Sequence, residues 1–488
     1  MQQDNMNELL VKLETLEKTS SALEPTENQR TAFLNQLNEY SSNFIQSLDS
    51  RNTFSKTKAN AKKLSIDGKK KNLEQLLKIY SDEVIDHGLI PASGGHIGYI
   101  PGGGLYTAAL GDFLAAVSNE YAGMYFGSPG AVTIENELIN WLKKIFNFPG
   151  DAVGNLTSGG SIANLIALTA ARDKHGIKNE KIENAVIYLS PQVHHCIHKA
   201  LRIIGLEDIV IRELELDAYS RIDAELLKKH IEVDKKSGLH PFMIIASAGT
   251  TDTGAVDPLD QIADIAHAHQ MWFHVDAAYG GFFILSDMVK NKFKGIEKAD
   301  SLVVDPHKGL FLPYGLGAVL VKDKDALFHS HHYTANYMQD ATNPDLPLNP
   351  ADVSPELTKH FRGLRMWFPL QMHGIEPFTA CLDEKLLLTR YFRLKLAERG
   401  FKLGPEPDLS VSYFYWQPTK TDADSFNQKL TELIHADGKI FLSSTKINGK
   451  QVIRIAILSF RTKRKTIDDC LAMIDRCLVK TKKYFNEI

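Results

Sequence analysis

The sequence predicts an α/β fold, a mostly parallel sheet between helices, preceded by a helical N-terminal segment and followed by a small α+β domain. Three observations predict it. From about residue 90, short near-continuous apolar runs rich in β-formers alternate with stretches of helical period, the βαβα order of a parallel sheet covered on both faces. Residues 1–50 carry helical periodicity alone. After residue 375 one long helix leads into three short strands and a last helix.

In chain order, Leu9, Leu10, Leu13 and Leu16 recur at helical spacing, as do Phe33, Leu34 and Leu37, which gives two amphipathic helices. A basic stretch, 56–71, sets seven lysines against the single Asp67 and reads as a solvated linker or helix face rather than an anion-binding patch. Glycines crowd together in SGGHIGYIPGGG, residues 93–104. The predicted strands that follow are 185–189, 209–212, 242–247, 271–275, 301–304 and 318–321, with helices at 161–174, 195–204, 224–232 and 259–269. The loop 339–355 holds four prolines and reads as irregular. Beyond it come a helix over 376–399, strands near 410–416, 440–443 and 452–457, and a helix over 466–485. The expected domains are a helical segment 1–90, a large ligand-binding domain 91–374 and a small α+β domain 375–488.

Composition narrows the function. The 488 residues hold 56 basic and 59 acidic side chains, a net charge of −3, with 43 % hydrophobic and 24 % charged residues. That is a globular chain rather than a disordered one. Near-neutral charge argues against nucleic acid as partner, and no apolar run approaches a membrane span. The first residues, MQQDNMNELL, lack the pattern of a secretion signal, so a cytoplasmic location is expected. Cys196, Cys381, Cys470 and Cys477 are too few and too scattered for a disulfide framework, and the Cys470/Cys477 pair suits core packing better than zinc.

Four motifs carry chemistry. In Asp305-Pro306-His307-Lys308-Gly309 a lysine stands just past the carboxyl end of an apolar strand. Desolvation there would depress its pKa toward the neutral nucleophile that a Schiff-base lysine requires. In His274-Val275-Asp276-Ala277-Ala278 a carboxylate ends another apolar strand, and a protonated pyridine nitrogen would be a fitting partner for it. In Leu156-Thr157-Ser158-Gly159-Gly160-Ser161-Ile162-Ala163-Asn164 small residues run into a helix start, where free N–H groups can hold a phosphate. No Gly-Lys-Ser/Thr follows, so it is not a nucleotide P-loop. In Val193-His194-His195-Cys196-Ile197-His198 three histidines lie within five residues without a zinc-protease pattern, and one imidazole could stack on a flat ring. Cradle, stacking group, ring-nitrogen partner and lysine together describe a pyridoxal-phosphate enzyme.

Over residues 75–485 the chain resembles the group II pyridoxal-phosphate decarboxylases, the family of aromatic amino acid, histidine and glutamate decarboxylases. The resemblance rests on LTSGGSIANL, VHHCIHKA, SAGTTDTGAVD, HVDAAYGG, DPHKG and FRGLRMW, and is closest to a bacterial branch with SGGHIGYIPGGG and DPHKGLFLPYG. It implies fold type I, an aspartate aminotransferase-like architecture, pyridoxal 5'-phosphate as cofactor, and an obligate homodimer with its active site at the subunit interface. It implies loss of the α-carboxylate of an amino acid to give CO2 and an amine. By the same resemblance Lys308 is the Schiff-base lysine, Asp276 the pyridine-nitrogen partner, His194 the ring-stacking histidine, and Ala278 the residue against the other ring face. Gly160, Ser161 and His307 fall at phosphate-contacting positions, Thr251 near the cofactor, and Tyr99 and Pro101 at the entrance of the substrate pocket.

Two departures from the family pattern stand out. Family decarboxylases carry a tyrosine on a loop before FRGLRMW that protonates the substrate carbon, whereas residues 339–360 contain none, and Tyr333 and Tyr337 come too early. That opens an alternative, a decarboxylating aldehyde synthase or another carbon–carbon lyase; a non-catalytic cofactor-binding scaffold is the remaining reading. Gly123 stands where aromatic-selective members carry a ring, so the substrate need not be aromatic.

Overall fold

The computed structural model describes residues 2–333 and 347–487. By contact density the chain divides into two units, one made of residues 1–51 and 55–88, the other of 52–54 and 89–488. The first unit is helical: α1 (Gln2–Ser20), α2 (Glu27–Ser47) and α3 (Leu73–Tyr80). Capping boxes at Thr26–Gln29 and Asn72–Gln75 fix where α2 and α3 begin. In the basic stretch Lys63 pairs with the buried carboxylate of Glu83, and Lys71 pairs with Asp67.

The second unit is built on a seven-stranded sheet. Its strands are β1 (Val153–Thr157), β2 (Ala185–Leu189), β3 (Val210–Glu213), β4 (His240–Ser247), β5 (Trp272–Asp276), β6 (Ser301–Val304) and β7 (Gly317–Val321), in the spatial order β1-β7-β6-β5-β4-β2-β3. The pairs β2–β3, β2–β4, β4–β5 and β5–β6 are parallel, whereas β7 runs antiparallel to both β6 and β1. Strands β2, β5, β6 and β7 are buried along their whole length, as expected for a sheet covered on both faces. The covering helices include α4 (Tyr106–Ser118), α5 (Pro129–Ile145), α6 (Gly160–Lys174), α7 (Cys196–Ile203), α8 (Ala224–Lys236) and α9 (Leu259–Ala268).

A four-stranded antiparallel sheet follows: β8 (Lys402–Leu403), β9 (Val411–Tyr415), β10 (Ser443–Ile447) and β11 (Lys450–Ala456). Around it lie α12 (Glu376–Glu398), α13 (Ala423–Asp437) and α14 (Arg464–Tyr484), after α10 (Lys324–His331) and α11 (Gly363–His373). Cys470 and Cys477 are buried in this smaller core.

Three expectations need correction. The strand expected at 440–443 begins only at Ser443, because the Phe441 N–H donates to Gly95 O and its carbonyl accepts the Ile97 N–H instead of joining the sheet. Strand β1, with its glycine and buried asparagine, does not read as an apolar run and was not anticipated. Within the expected irregular loop, 339–346 lies outside the described residues, as does Tyr337, and Pro350–Val353 forms a turn of 3-10 helix. Gly123 answers a packing need: a Cβ there would sit 2.2 Å from the carbonyl oxygen of Leu357.

Candidate active site

Strand direction assembles the site. β1 and β6 both oppose β7, so β1 ends on the same side of the sheet as β2, β4, β5 and β6. At these carboxyl ends, where open α/β sheets bind ligands, lies a cavity of about 340 Å³. Gly160, Ser161, His194, Thr251, Asp276, Ala278, His307 and Lys308 all line it. Tyr99 and Pro101 do not line it within one chain; Tyr99 is half-exposed against Phe441.

Asp276 is the last residue of β5 and is buried. One of its oxygens, Oδ1, accepts the Ala278 N–H at 3.1 Å, while Oδ2 accepts from Asn164 Nδ2 at 3.2 Å. Asn164 Oδ1 in turn meets His274 Nε2 at 2.8 Å, and His274 Nδ1 meets Ser301 Oγ at 2.8 Å. Since Asn164 Oδ1 is an acceptor, His274 carries its proton on Nε2. Burial drives the His274 pKa down to about 3, so the imidazole is neutral. Burial raises the Asp276 pKa, against the lowering effect of the Ala278 hydrogen bond and the Lys308 charge. A buried carboxylate whose hydrogen bonds come from neutral donors is suited to receive a cationic N–H.

Lys308 sits on the single turn Pro306–Gly309 after β6. Its Nζ lies 2.9 Å from Asp305 Oδ2. The expected depression of its pKa is not what the structure gives. Desolvation is the largest influence and does lower it, but the Asp305 and Asp276 carboxylates outweigh it and the net shift is upward. Among the described residues Asp305 Oδ1 is buried without a hydrogen-bond partner.

The opposite wall is the turn Ser158-Gly159-Gly160-Ser161 opening the 15-residue helix α6. Gly159 has φ +146°, a conformation that favours glycine. The first N–H groups of a helix have no acceptor within it, and small residues leave the backbone open to an anion. His307 lies at this end: its Nδ1 donates to Leu316 O at 2.7 Å, and its Nε2 lies 3.8 Å from Asp305 Oδ2. Burial lowers the His307 pKa, so it donates to an anion from Nε2 only when protonated. His194 precedes α7, accepts the Cys196 N–H on Nδ1 at 3.3 Å, and has its pKa lowered to about 4 by burial and by the neighbouring His195 and Lys308. It is a neutral, flat group on the cavity wall.

Asn164, His274 and Asp305 were absent from the expected site. The signals were in the sequence: His274 and Asp276 share a strand face at period two, Gly160 and Asn164 a helix face, and Asp305 and Lys308 one turn. The donor set fits pyridoxal phosphate: a small-residue cradle for its phosphate, a buried carboxylate for a ring N–H, and an amine for its aldehyde.

A family model described as the pyridoxal-dependent decarboxylase conserved domain matches residues 58–414. The aromatic-L-amino-acid decarboxylase of Bacillus atrophaeus is 36 % identical over 372 residues, covering 75 % of this chain and 77 % of that protein. A phenylacetaldehyde synthase of Arabidopsis thaliana is 28 % identical over 391 residues, covering 77 % and 80 %. The crystal structure of Oryza sativa TDC with PLP and tryptamine superposes with a TM-score of 0.88 at 23 % identity, covering 94 % of this chain and 99 % of that one.

Proposed function

From the premise that this chain belongs to the pyridoxal-dependent decarboxylase family, we propose the division of labour within its site. The protein is a fold type I carboxy-lyase that uses pyridoxal phosphate to remove the α-carboxylate of an amino acid, giving an amine and CO2. Lys308 would hold the cofactor through its aldehyde, 158–161 and His307 its phosphate, and Asp276 its ring nitrogen, with His194 and Ala278 on its two faces and Thr251 beside it. Bound there, the cofactor supplies an electron sink for the electron pair left when CO2 departs.

The remaining work falls to the chain. Asp276 would hold a proton on the ring nitrogen of the bound group, and a preorganised charge of this kind acts where charge develops. Asn164 and His274 lock the Asp276 carboxylate in one orientation, so no reorganisation is needed during the reaction. Asp305 holds the Lys308 nitrogen in place, and the amine would give up its extra proton when it joins the aldehyde. The observation that carries this reading is the convergence of Asp276, Lys308 and the 158–161 turn on one cavity from three strand ends.

The substrate side is supported more coarsely, so the test uses a panel. Purified protein supplied with pyridoxal phosphate should release CO2 and the matching amine from at least one aromatic or diamino acid. Silence across all amino acids, with cofactor bound, would overturn the reading. The lack of a tyrosine in 339–360 favours a second product channel, an aldehyde with ammonia and hydrogen peroxide formed at the expense of O2; a stoichiometric amine product eliminates it.

A homodimer with a shared active site is also part of the proposal. Its support is α4, which presents Tyr106, Leu110, Phe113, Leu114 and Val117 exposed, a run of large apolar side chains on one helix such as interfaces cover. Tyr99 and Pro101 as pocket-entrance residues belong with it, since neither lines the cavity of one chain. Among the described residues no helix is long and apolar enough to cross a membrane. The four free cysteines suit a reducing, cytoplasmic setting.

A further inference from the structure

The motif FRGLRMW, quoted for its resemblance alone, carries no group that lines the cavity. Its arginines, with Lys359 just before them, nevertheless reach two backbone segments that do form it. β1 is the edge strand of the sheet, and its Leu156 turns both backbone groups away from β7. Glu135 accepts the Leu156 N–H at 3.1 Å. The Leu156 carbonyl oxygen accepts from Lys359 Nζ at 2.9 Å and from Arg362 Nη1 at 3.2 Å. Lys359 is fully buried, and its Nζ also lies 2.7 Å from Glu135, while Arg362 forms a two-pronged pair with Glu356. Two residues beyond Leu156 the chain enters the 158–161 turn. Arg365, three residues beyond Arg362, grips Asp112 with two nitrogens and donates its Nη1 to the carbonyl of Tyr314, a cavity-wall residue.

The two gripped segments touch. Thr157 pairs with Gly317, and a Cβ on Gly317 would lie 2.6 Å from the carbonyl carbon of Gly159. A Cβ on Gly315 would lie 3.1 Å from Arg365 Nη1. There is no slack between cradle, turn and guanidinium.

We propose that Lys359, Arg362 and Arg365 are positioning residues: they clamp the strand that feeds the cradle and the turn that closes it, and so set the affinity for the cofactor's phosphate without touching it. Each cation is matched by a carboxylate (Glu135, Glu356, Asp112), so the clamp holds its shape without drawing on the ligand's charge. The inference rests on 158–161 being the phosphate cradle.

The test measures binding to full-length apo-protein of pyridoxal phosphate and, separately, of inorganic phosphate, with the apo melting temperature recorded for each variant. Arg365→Met should weaken both ligands by roughly tenfold or more, since small misplacements of a preorganised site cost that much. With saturating cofactor the loss in kcat should be smaller than the loss in affinity, because no group of the clamp meets the reacting atoms. Arg365→Lys, which keeps the charge but loses the fork, should fall between the two. Equal affinities in wild type and variants, or a loss confined to pyridoxal phosphate with inorganic phosphate unaffected, would overturn the clamp. If Arg365→Met does not fold, Arg365→Lys decides: unchanged phosphate affinity refutes the proposal. Wild-type protein that binds neither ligand would instead remove the cradle reading, and the clamp with it.

Discussion

Lys308 Nζ stands 2.9 Å from Asp305 Oδ2, three residues behind it on one turn, and the aspartate side chain is 2 % exposed. This pair makes the lysine more basic despite burial. In Asp305→Asn the amine should become neutral at lower pH. The rate at which apo-protein develops the visible absorbance of bound cofactor should then have its pH midpoint moved down. A midpoint that stays put, or moves up, would show that Asp305 does not govern the amine.

Lys308→Ala should abolish that visible band and all turnover. It also strands a buried carboxylate, so stability should drop by about 1–3 kcal/mol in urea unfolding. A variant that retains the band would move the covalent anchor to another lysine.

Asp276 and Asn164 separate charge from orientation. Asp276→Ala should slow turnover by about a hundredfold or more, as loss of one preorganised group does. Asn164→Leu keeps the carboxylate but leaves it and His274 each short of a partner. It should cost less in kcat than Asp276→Ala, and about 1–3 kcal/mol per orphaned group in stability. Equal kcat losses in the two variants would count against a distinct charge role.

Two buried groups give opposite pH signatures. His274, with its pKa lowered to about 3 from the ordinary 6.5, binds fewer protons folded than unfolded across that window. Stability contributed by neutral His274 is therefore lost on acidification, at up to ~1.4 kcal/mol per pH unit. Asp257, whose carboxyl burial pushes up to about 6 from 3.8, binds more protons folded, so stability rises as pH falls from 6 toward 3.8 and falls again on the way back up. In melting curves from pH 7 to 4, His274→Gln should flatten the acid loss and Asp257→Asn should steepen it. The reverse ordering would refute the assignment.

Phe113→Glu with Val117→Glu on the exposed face of α4 should give a one-chain mass by light scattering, where wild type gives two. Wild type that elutes as one chain at micromolar concentration would end the dimer proposal.

Much of this was legible before any coordinates. The strands Ala185–Leu189 and Ser301–Val304 fall where the apolar runs lie, because a strand buried on both faces must be apolar throughout. Asp276 and Lys308 were legible for the same reason: a polar residue that ends such a run stands at the rim of the sheet. β1 was not, since Asn155 and Gly154 break the run while Lys359 and Pro350 supply its polar partners from some 200 residues away.

What the sequence determined by itself is the local order of elements and the chemistry placed at each strand end, because periodicity and turn residues act over a few positions. What the tertiary structure alone decided is who meets whom: that β7 runs backward to bring β1 beside the turn of Lys308, that Asn164 ties Asp276 to His274 across 112 and 110 residues, and that Lys359 and Arg362 reach the Leu156 carbonyl while Arg365 reaches that of Tyr314. Those meetings depend on strand order and packing, in which separations of a hundred residues or more close to hydrogen-bond distance, and no local spacing encodes them.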